Sequence, residues 1–180
     1  MAAYDAKERI LTVISELDQI RNALDGERLN RLADSIHQTP RVFFSGQGRS
    51  GLMVKAIAIR LMHIGIQVYV AGESNTPAIE KNELLVAVSS SAKTTVTLSH
   101  IAAARKAGAK VVLISSAPAP EVDADIHIQI PSRTEVATEQ HAGSLFEQSL
   151  LIAGDAIAWR IQNLRGKQDA DLDKRHANLQ

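Results

Sequence analysis

The chain has 180 residues of one even composition, 45% apolar but only 3% aromatic, which predicts a single domain with a core of Ala, Val, Ile and Leu. Its 20 basic and 20 acidic residues cancel, so it carries no electrostatic footprint for nucleic acid or an anionic membrane surface. The absence of cysteine excludes disulfides, zinc–cysteine centres and thiol nucleophiles.

The N-terminus, Met1-Ala-Ala-Tyr-Asp-Ala-Lys-Glu8, is polar and lacks the apolar core of a signal peptide. No apolar run reaches the length of a membrane span, so the expected location is the cytoplasm. The first forty residues read as two helices. Ile10, Ile14, Leu17 and Leu24 recur at helical spacing, and Leu11, Val13 and Ile20 widen the stripe. That wide stripe is expected partly to cover the domain's own core and partly to dock on another subunit. Asp25-Gly26 breaks the first helix, the second starts near Glu27, and Pro40 closes it.

Strands and helices then alternate. Val42–Phe44, Ile66–Val70, Leu84–Val88, Val111–Ile114 and Ile126–Ile130 read as strands. Gly51–His63 and Thr94–Ala107 read as helices stopped by Gly65 and Gly108. Ala117–Pro120 is a turn, and the polar loop 131–142 leads into a long helix from Ser144 to about Leu164. This order predicts the α/β class: a doubly wound five-stranded parallel sheet, order 2-1-3-4-5, behind an N-terminal helical pair. The expected division is 1–39 for the helical pair, 40–165 for the α/β core and 166–180 for a polar tail.

In such a sheet, ligands bind at the carboxyl ends of the strands, where the strand order reverses. For order 2-1-3-4-5 that point brings together the loops after the first and third strands. The first loop, Gly46-Gln-Gly-Arg-Ser-Gly51, spells the G-x-G-x-x-G of dinucleotide sites. The third, Ser89-Ser-Ser-Ala-Lys-Thr-Thr95, is rich in hydroxyls. A dinucleotide site wants an acidic residue roughly twenty positions on, and Glu73 imitates it, but past the end of the second strand. A phosphate monoester suits the pair better. Gly46 and Gly48 admit an anion to backbone N–H groups, and the helix beginning near Ser50 points its positive end there. Ser89, Ser91 and Thr94 supply hydroxyls, while Arg49 or Lys93 supplies charge. Read separately, the loops are ordinary turns, and the Ser/Thr cluster is a helix N-cap.

These loops resemble the sugar isomerase (SIS) domain, a phosphosugar-binding fold. "GQGRSGLMVKAIAIRLMHIG" (46–65), "TPAI" (76–79), "GSLFEQ" (143–148) and "KRHANL" (174–179) narrow the resemblance, over nearly the whole chain, to the 6-phospho-3-hexuloisomerases. The resemblance implies interconversion of D-arabino-3-hexulose 6-phosphate and D-fructose 6-phosphate in ribulose monophosphate formaldehyde fixation. It also implies a homotetramer, no metal and no cofactor. One stretch departs from the family. Its third loop usually reads S-G-S-G-E-T, whereas here Ser90, Ala92 and Lys93 replace both glycines and the acid. If those backbone positions need positive φ, the replacements add strain.

Moving the carbonyl from C3 to C2 needs one base, a cis-enediol(ate) and a second group to shuttle protons between the oxygens. The family motif assigns the base to Glu147. Spacing alone favours another role, since Ser144-x-x-Glu147 spells a capping box. His176 is the candidate shuttle. The competing expectation for it is a disordered tail, and its functional reading has the tail completing a neighbouring subunit's site. His63 reads as packing or helix capping. Thr76 starts a turn, His37, His100, His127 and His141 are surface or packing residues, and Phe146 and Trp159 are helix core. Two other functions stay open: a non-catalytic phosphosugar-sensing SIS module, and an isomerase of another phosphosugar such as arabinose 5-phosphate.

Overall fold

A computed structural model describes residues 4–179; Met1, Ala2, Ala3 and Gln180, and with them part of the N-terminal leader reading, lie outside the described residues. The helical pair comprises α1 (Ala6–Ala23) and α2 (Gly26–Gln38). There follow β1 (Val42–Ser45), α3 (Gly48–Ile64), β2 (Val68–Val70), β3 (Leu84–Val88), α4 (Thr95–Ala107), β4 (Lys110–Ser115), β5 (Ile126–Gln129), α5 (Ser144–Leu164) and α6 (Asp169–Asp173). All strand pairs are parallel and the order is β2-β1-β3-β4-β5, as the alternation predicts.

Alternate strand residues serve two cores. Val42, Phe44, Val86, Val112 and Ile128 face a large apolar layer completed by α2, α3 and α5. Phe43, Leu85, Val111 and Leu113 face a thinner one covered by α4 through Ile101 and Ala104. Helix α1 lies on the thick side and is only half engaged. Ile20 is buried and Leu17 and Leu24 pack on the core, while Ile10, Leu11 and Ile14 remain exposed.

Two boundaries differ from expectation for identifiable reasons. β2 starts at Val68 rather than Ile66 because the Ile66 N–H closes the end of α3, donating to Leu61 O at 3.0 Å, beside Gly65 N–H to Met62 O at 2.9 Å. Gly108 and Ala109 end α4 in the same way, on Arg105 O and Ala104 O. Helix α3 starts at Gly48, three residues early, because Gly48 takes φ +58 and turns the chain directly from the strand into the helix. The tail is not merely polar. Leu172 is buried against the thick layer and fixes α6 there. Trp159, expected in the core, is 68% exposed on the outer side of α5, while Phe146 is fully buried as expected. Among the described residues no helix is long and apolar enough to cross a membrane.

Candidate active site

The carboxyl ends of β1, β3, β4 and β5 open into a cleft of about 420 Å³. Gln47 and Ser50 line it from the loop after β1, and Ser89, Ser90, Ser91 and Thr94 from the loop after β3. The two loops that the strand order pairs therefore do share one crevice. Glycines shape the first loop by close approach. A Cβ on Gly51 would lie 2.7 Å from Gly46 O, so the loop turns tightly enough to start α3 at the cleft floor.

Helix starts differ according to where they lie. Far from the cleft, α1 and α2 are capped by the carboxylates of Asp5 and Asp25, each accepting two backbone N–H groups. At the cleft, α3, α4 and α5 begin at Gln47, Thr94 and Gly143 with no side-chain cap. Three helix N-termini without a side-chain cap thus open toward one hydroxyl-lined space, the arrangement that binds a phosphate. Thr94 does not cap α4. Its hydroxyl lies 2.8 Å from Ser89 Oγ, and its N–H donates to Ser89 Oγ at 3.4 Å. The Ser91 hydroxyl accepts from Lys93 N–H at 3.2 Å. Of the two glycine replacements, Ala92 takes positive φ (+55) and Ser90 does not.

Half of the cleft wall comes from loops to which the sequence reading assigned no role. Ser116 follows β4, and Ser132, Arg133 and Thr134 follow β5. Ser90 O accepts from the N–H groups of Ser116 and Ala117, stitching two loops together at 2.9 and 3.1 Å. Arg133 (φ +62) and Ala142 (φ +49) join Ala92 in the left-handed region around this cleft, and such backbone strain concentrates at functional sites. The available signal was positional: polar runs directly after strands 4 and 5, at the ligand-binding edge of the sheet.

Glu147 lines the cleft from the first turn of α5 and is 9% exposed. The capping box does not form. Gly143, not Ser144, is the N-cap, and Ser144 Oγ instead donates to His141 O at 2.8 Å. The Glu147 carboxylate accepts from Arg49 Nε at 2.5 Å, joining the start of α3 to the start of α5. Arg49 therefore sits on the carboxylate, with its side chain 67% exposed, rather than among the cleft-lining residues. Gly46 and Gly48 likewise act on the loop's shape and do not line the cleft. Glu73, the imitation ribose ligand, pairs with Lys55 at 2.6 Å.

His176 does not lie in this cleft. It stacks on His63, with ring centroids 4.4 Å apart, at the opposite end of α3, about 20 Å along the helix from Arg49. His63 is 5% exposed, and its Nδ1 is buried with no hydrogen-bond partner. Burial, the neighbouring His176 and Arg60 hold its pKa below the usual 6.5. The remaining assignments are structural. His100 bonds Ser45 Oγ at 2.8 Å, His127 bonds Ser115 Oγ at 2.7 Å, and Thr76 Oγ1 donates to Val70 O.

Residues 35–155 match the SIS domain. A 3-hexulose-6-phosphate isomerase of Mycobacterium gastri is 35% identical over 98% of this chain and 92% of its own length. One from Bacillus subtilis is 32% identical over 96% of this chain and 98% of its own. Among solved structures, a Methanococcus jannaschii protein with an inferred function of 3-hexulose-6-phosphate isomerase aligns with a TM-score of 0.85. It shares 29% identity and covers 96% of this chain and 99% of that one.

Proposed function

This chain belongs to the SIS-domain family, and on that premise we propose that it interconverts D-arabino-3-hexulose 6-phosphate and D-fructose 6-phosphate through a cis-enediol(ate), as a homotetrameric cytoplasmic enzyme of ribulose monophosphate formaldehyde fixation. The observation that carries the reading is Glu147: a carboxylate inside a hydroxyl-lined cleft, released from capping and held at one point by Arg49. The likeness to named 3-hexulose-6-phosphate isomerases over nearly the full chain supports the substrate.

The phosphate rests between the starts of α3 and α4, on backbone amides and the hydroxyls of Ser50, Ser89, Ser91 and Thr94. Gly46 and Gly48 shape that cradle. Glu147 takes the proton from C2, and the electron pair forms the C2–C3 double bond as the C3 oxygen gains a proton. Return of a proton to C3, with loss of the proton on the C2 oxygen, gives fructose 6-phosphate. Arg49 orients the base. His176 shuttles protons between the oxygens, and because its own cleft lies about 20 Å away it serves a neighbouring subunit.

The test is turnover. 3-Hexulose 6-phosphate, generated in place by a preceding synthase, is supplied to the purified chain and fructose 6-phosphate is followed in deuterated water. Product labelled at C3 is expected. Tight phosphosugar binding without turnover would make the chain a sensing module, and turnover of arabinose 5-phosphate instead would change the substrate.

A further inference from the structure

The wall of the cleft between β5 and α5, residues 131–143, has almost no regular structure, yet it carries Arg133 and leads directly to Glu147. What holds it is not the sheet but α1, a helix outside the strand–helix alternation. Glu16 on α1 is 5% exposed and receives three donors from this wall. Thr138 Oγ1 donates to one carboxylate oxygen at 2.8 Å and Gln140 Nε2 to the same oxygen at 2.7 Å, while the Glu139 N–H donates to the other at 2.8 Å. From there the connection forks at Gln140. Its side chain exchanges two hydrogen bonds with Gln148, the neighbour of Glu147, at 3.0 and 2.9 Å. Its carbonyl accepts from Arg133 Nη2 at 2.7 Å.

We propose that Glu16 is a positioning residue for the isomerisation: through Gln140 it sets the place of Arg133 and of the Glu147 carboxylate in the cleft. A carboxylate suits the task because it only accepts, and all three groups facing it donate. Burial opposes its charge, but the bonds from Gln140, Glu139 N–H and Thr138 and the nearby Arg9 outweigh that and hold its pKa below the usual value. The wall needs such a tie because Arg133 and Ala142, at φ +62 and +49, sit in a backbone region that relaxes unless its surroundings enforce it. Among the described residues neither Glu16 nor Gln140 bonds to the phosphate cradle, which is built on the other two loops and meets this wall through the Arg49–Glu147 pair and through Ser116, bonded to both Thr134 and Ser90.

The inference rests on the isomerase reading, and its test separates the two. Glu16→Gln keeps the shape but turns an amide N–H₂ toward a group that also donates. The substitution is expected to lower kcat about 10- to 100-fold, the scale of roughly 1 Å of misplacement. Fructose 6-phosphate should still bind within about threefold of wild type, because its phosphate is held elsewhere. Hydrogen exchange of amides 138–148 should accelerate while the strands keep their protection. Gln140→Met, which cuts the fork and leaves Glu16 in place, is the second variant in case the first fails to fold, with a kcat loss of about tenfold expected. Unchanged kcat in a folded variant, or unchanged exchange at 138–148, overturns the proposal. If the wild type shows no isomerase activity, the exchange result still decides whether Glu16 positions the Glu147 end of α5.

Discussion

At its N-terminal end α3 leaves its first amides without a side-chain cap, puts Ser50 into the cleft and sends Arg49 across to Glu147. At its C-terminal end the last carbonyls are closed by Gly65 and Ile66, Gly65 O receives Arg165, and the tail lays His176 over His63. One end is left open toward the cleft, and the other is a sealed corner in which two buried nitrogens, His63 Nδ1 and Arg165 Nε, lack a partner. The contrast separates chemistry from anchoring along one helix. It also says that a reaction needing both Glu147 and His176 must draw them from different chains.

Breaking the open end has the largest expected effect. Glu147→Gln should lower kcat about 10³-fold, within the usual range for loss of a general base. The melting temperature should stay within a few degrees, because the pair it breaks has an exposed partner in Arg49. Full activity in a folded Glu147→Gln chain would place the base elsewhere in the cleft.

The sealed end is tested next. His176→Ala alone should lose about 100-fold in kcat. Co-refolding it with Glu147→Gln sorts subunits at random, and sites that combine an intact Glu147 from one chain with an intact His176 from another should regain activity. A mixture no more active than its parents would remove the tail from the reaction and leave the imidazole stack as an anchor.

A smaller effect distinguishes the ends by pH. His63 is held neutral by burial, with His176 and Arg60 contributing, and its folded pKa lies below the unfolded value near 6.5. The unfolded chain therefore binds more protons just below pH 6.5, so stability falls as the pH drops through that value. His127, depressed by burial and Arg28, adds to the same slope. Urea midpoints at pH 7.5 and 5.5 should drop for the wild type and drop less for His63→Gln, with the His127 share remaining. An identical slope in the two proteins would mean that His63 is not the buried neutral group at this corner. The window stays above the range in which Glu16 would titrate.

Most of the fold was legible because its signals are local. The strand at Leu84–Val88 and the helix at Ser144–Leu164 match expectation residue for residue, and Gly65 and Gly108 end their helices in the left-handed conformation. The site was legible only in part. Ser144-x-x-Glu147 has capping-box spacing, but spacing does not say which residue takes the N-cap; Gly143 took it and left the carboxylate free. The loops after β4 and β5 carry no motif and lie beyond the switch point between β1 and β3, yet the carboxyl ends of four strands meet at the cleft. The Glu16 network spans more than 120 residues of sequence, and nothing in the spelling of α1 marks one acid among several as buried. Trp159 misled for a related reason: aromatic character predicts burial only on the face that a helix turns inward, and α5 turns this position outward.

The third loop offers the smallest and sharpest test of the open end. Ala92 sits at φ +55, where a side chain costs about 1–2 kcal/mol relative to glycine. It is also 3% exposed within the thin apolar layer, so removing its methyl forfeits about 0.8 kcal/mol of burial. The glycine's greater freedom in the unfolded chain takes back a further ~0.4–1 kcal/mol. The opposing contributions nearly cancel, and Ala92→Gly should change stability by less than about 1 kcal/mol. Its effect on the site should be separable from that. The amides of 92–94 and the Ser89–Thr94 hydroxyl contact are held by this turn, so relaxing it should weaken phosphosugar affinity by a few-fold while kcat at saturation holds. A loss of kcat with affinity intact would mean that this loop acts on the reacting carbons and not on the phosphate, and the division of labour along the cleft would have to be redrawn.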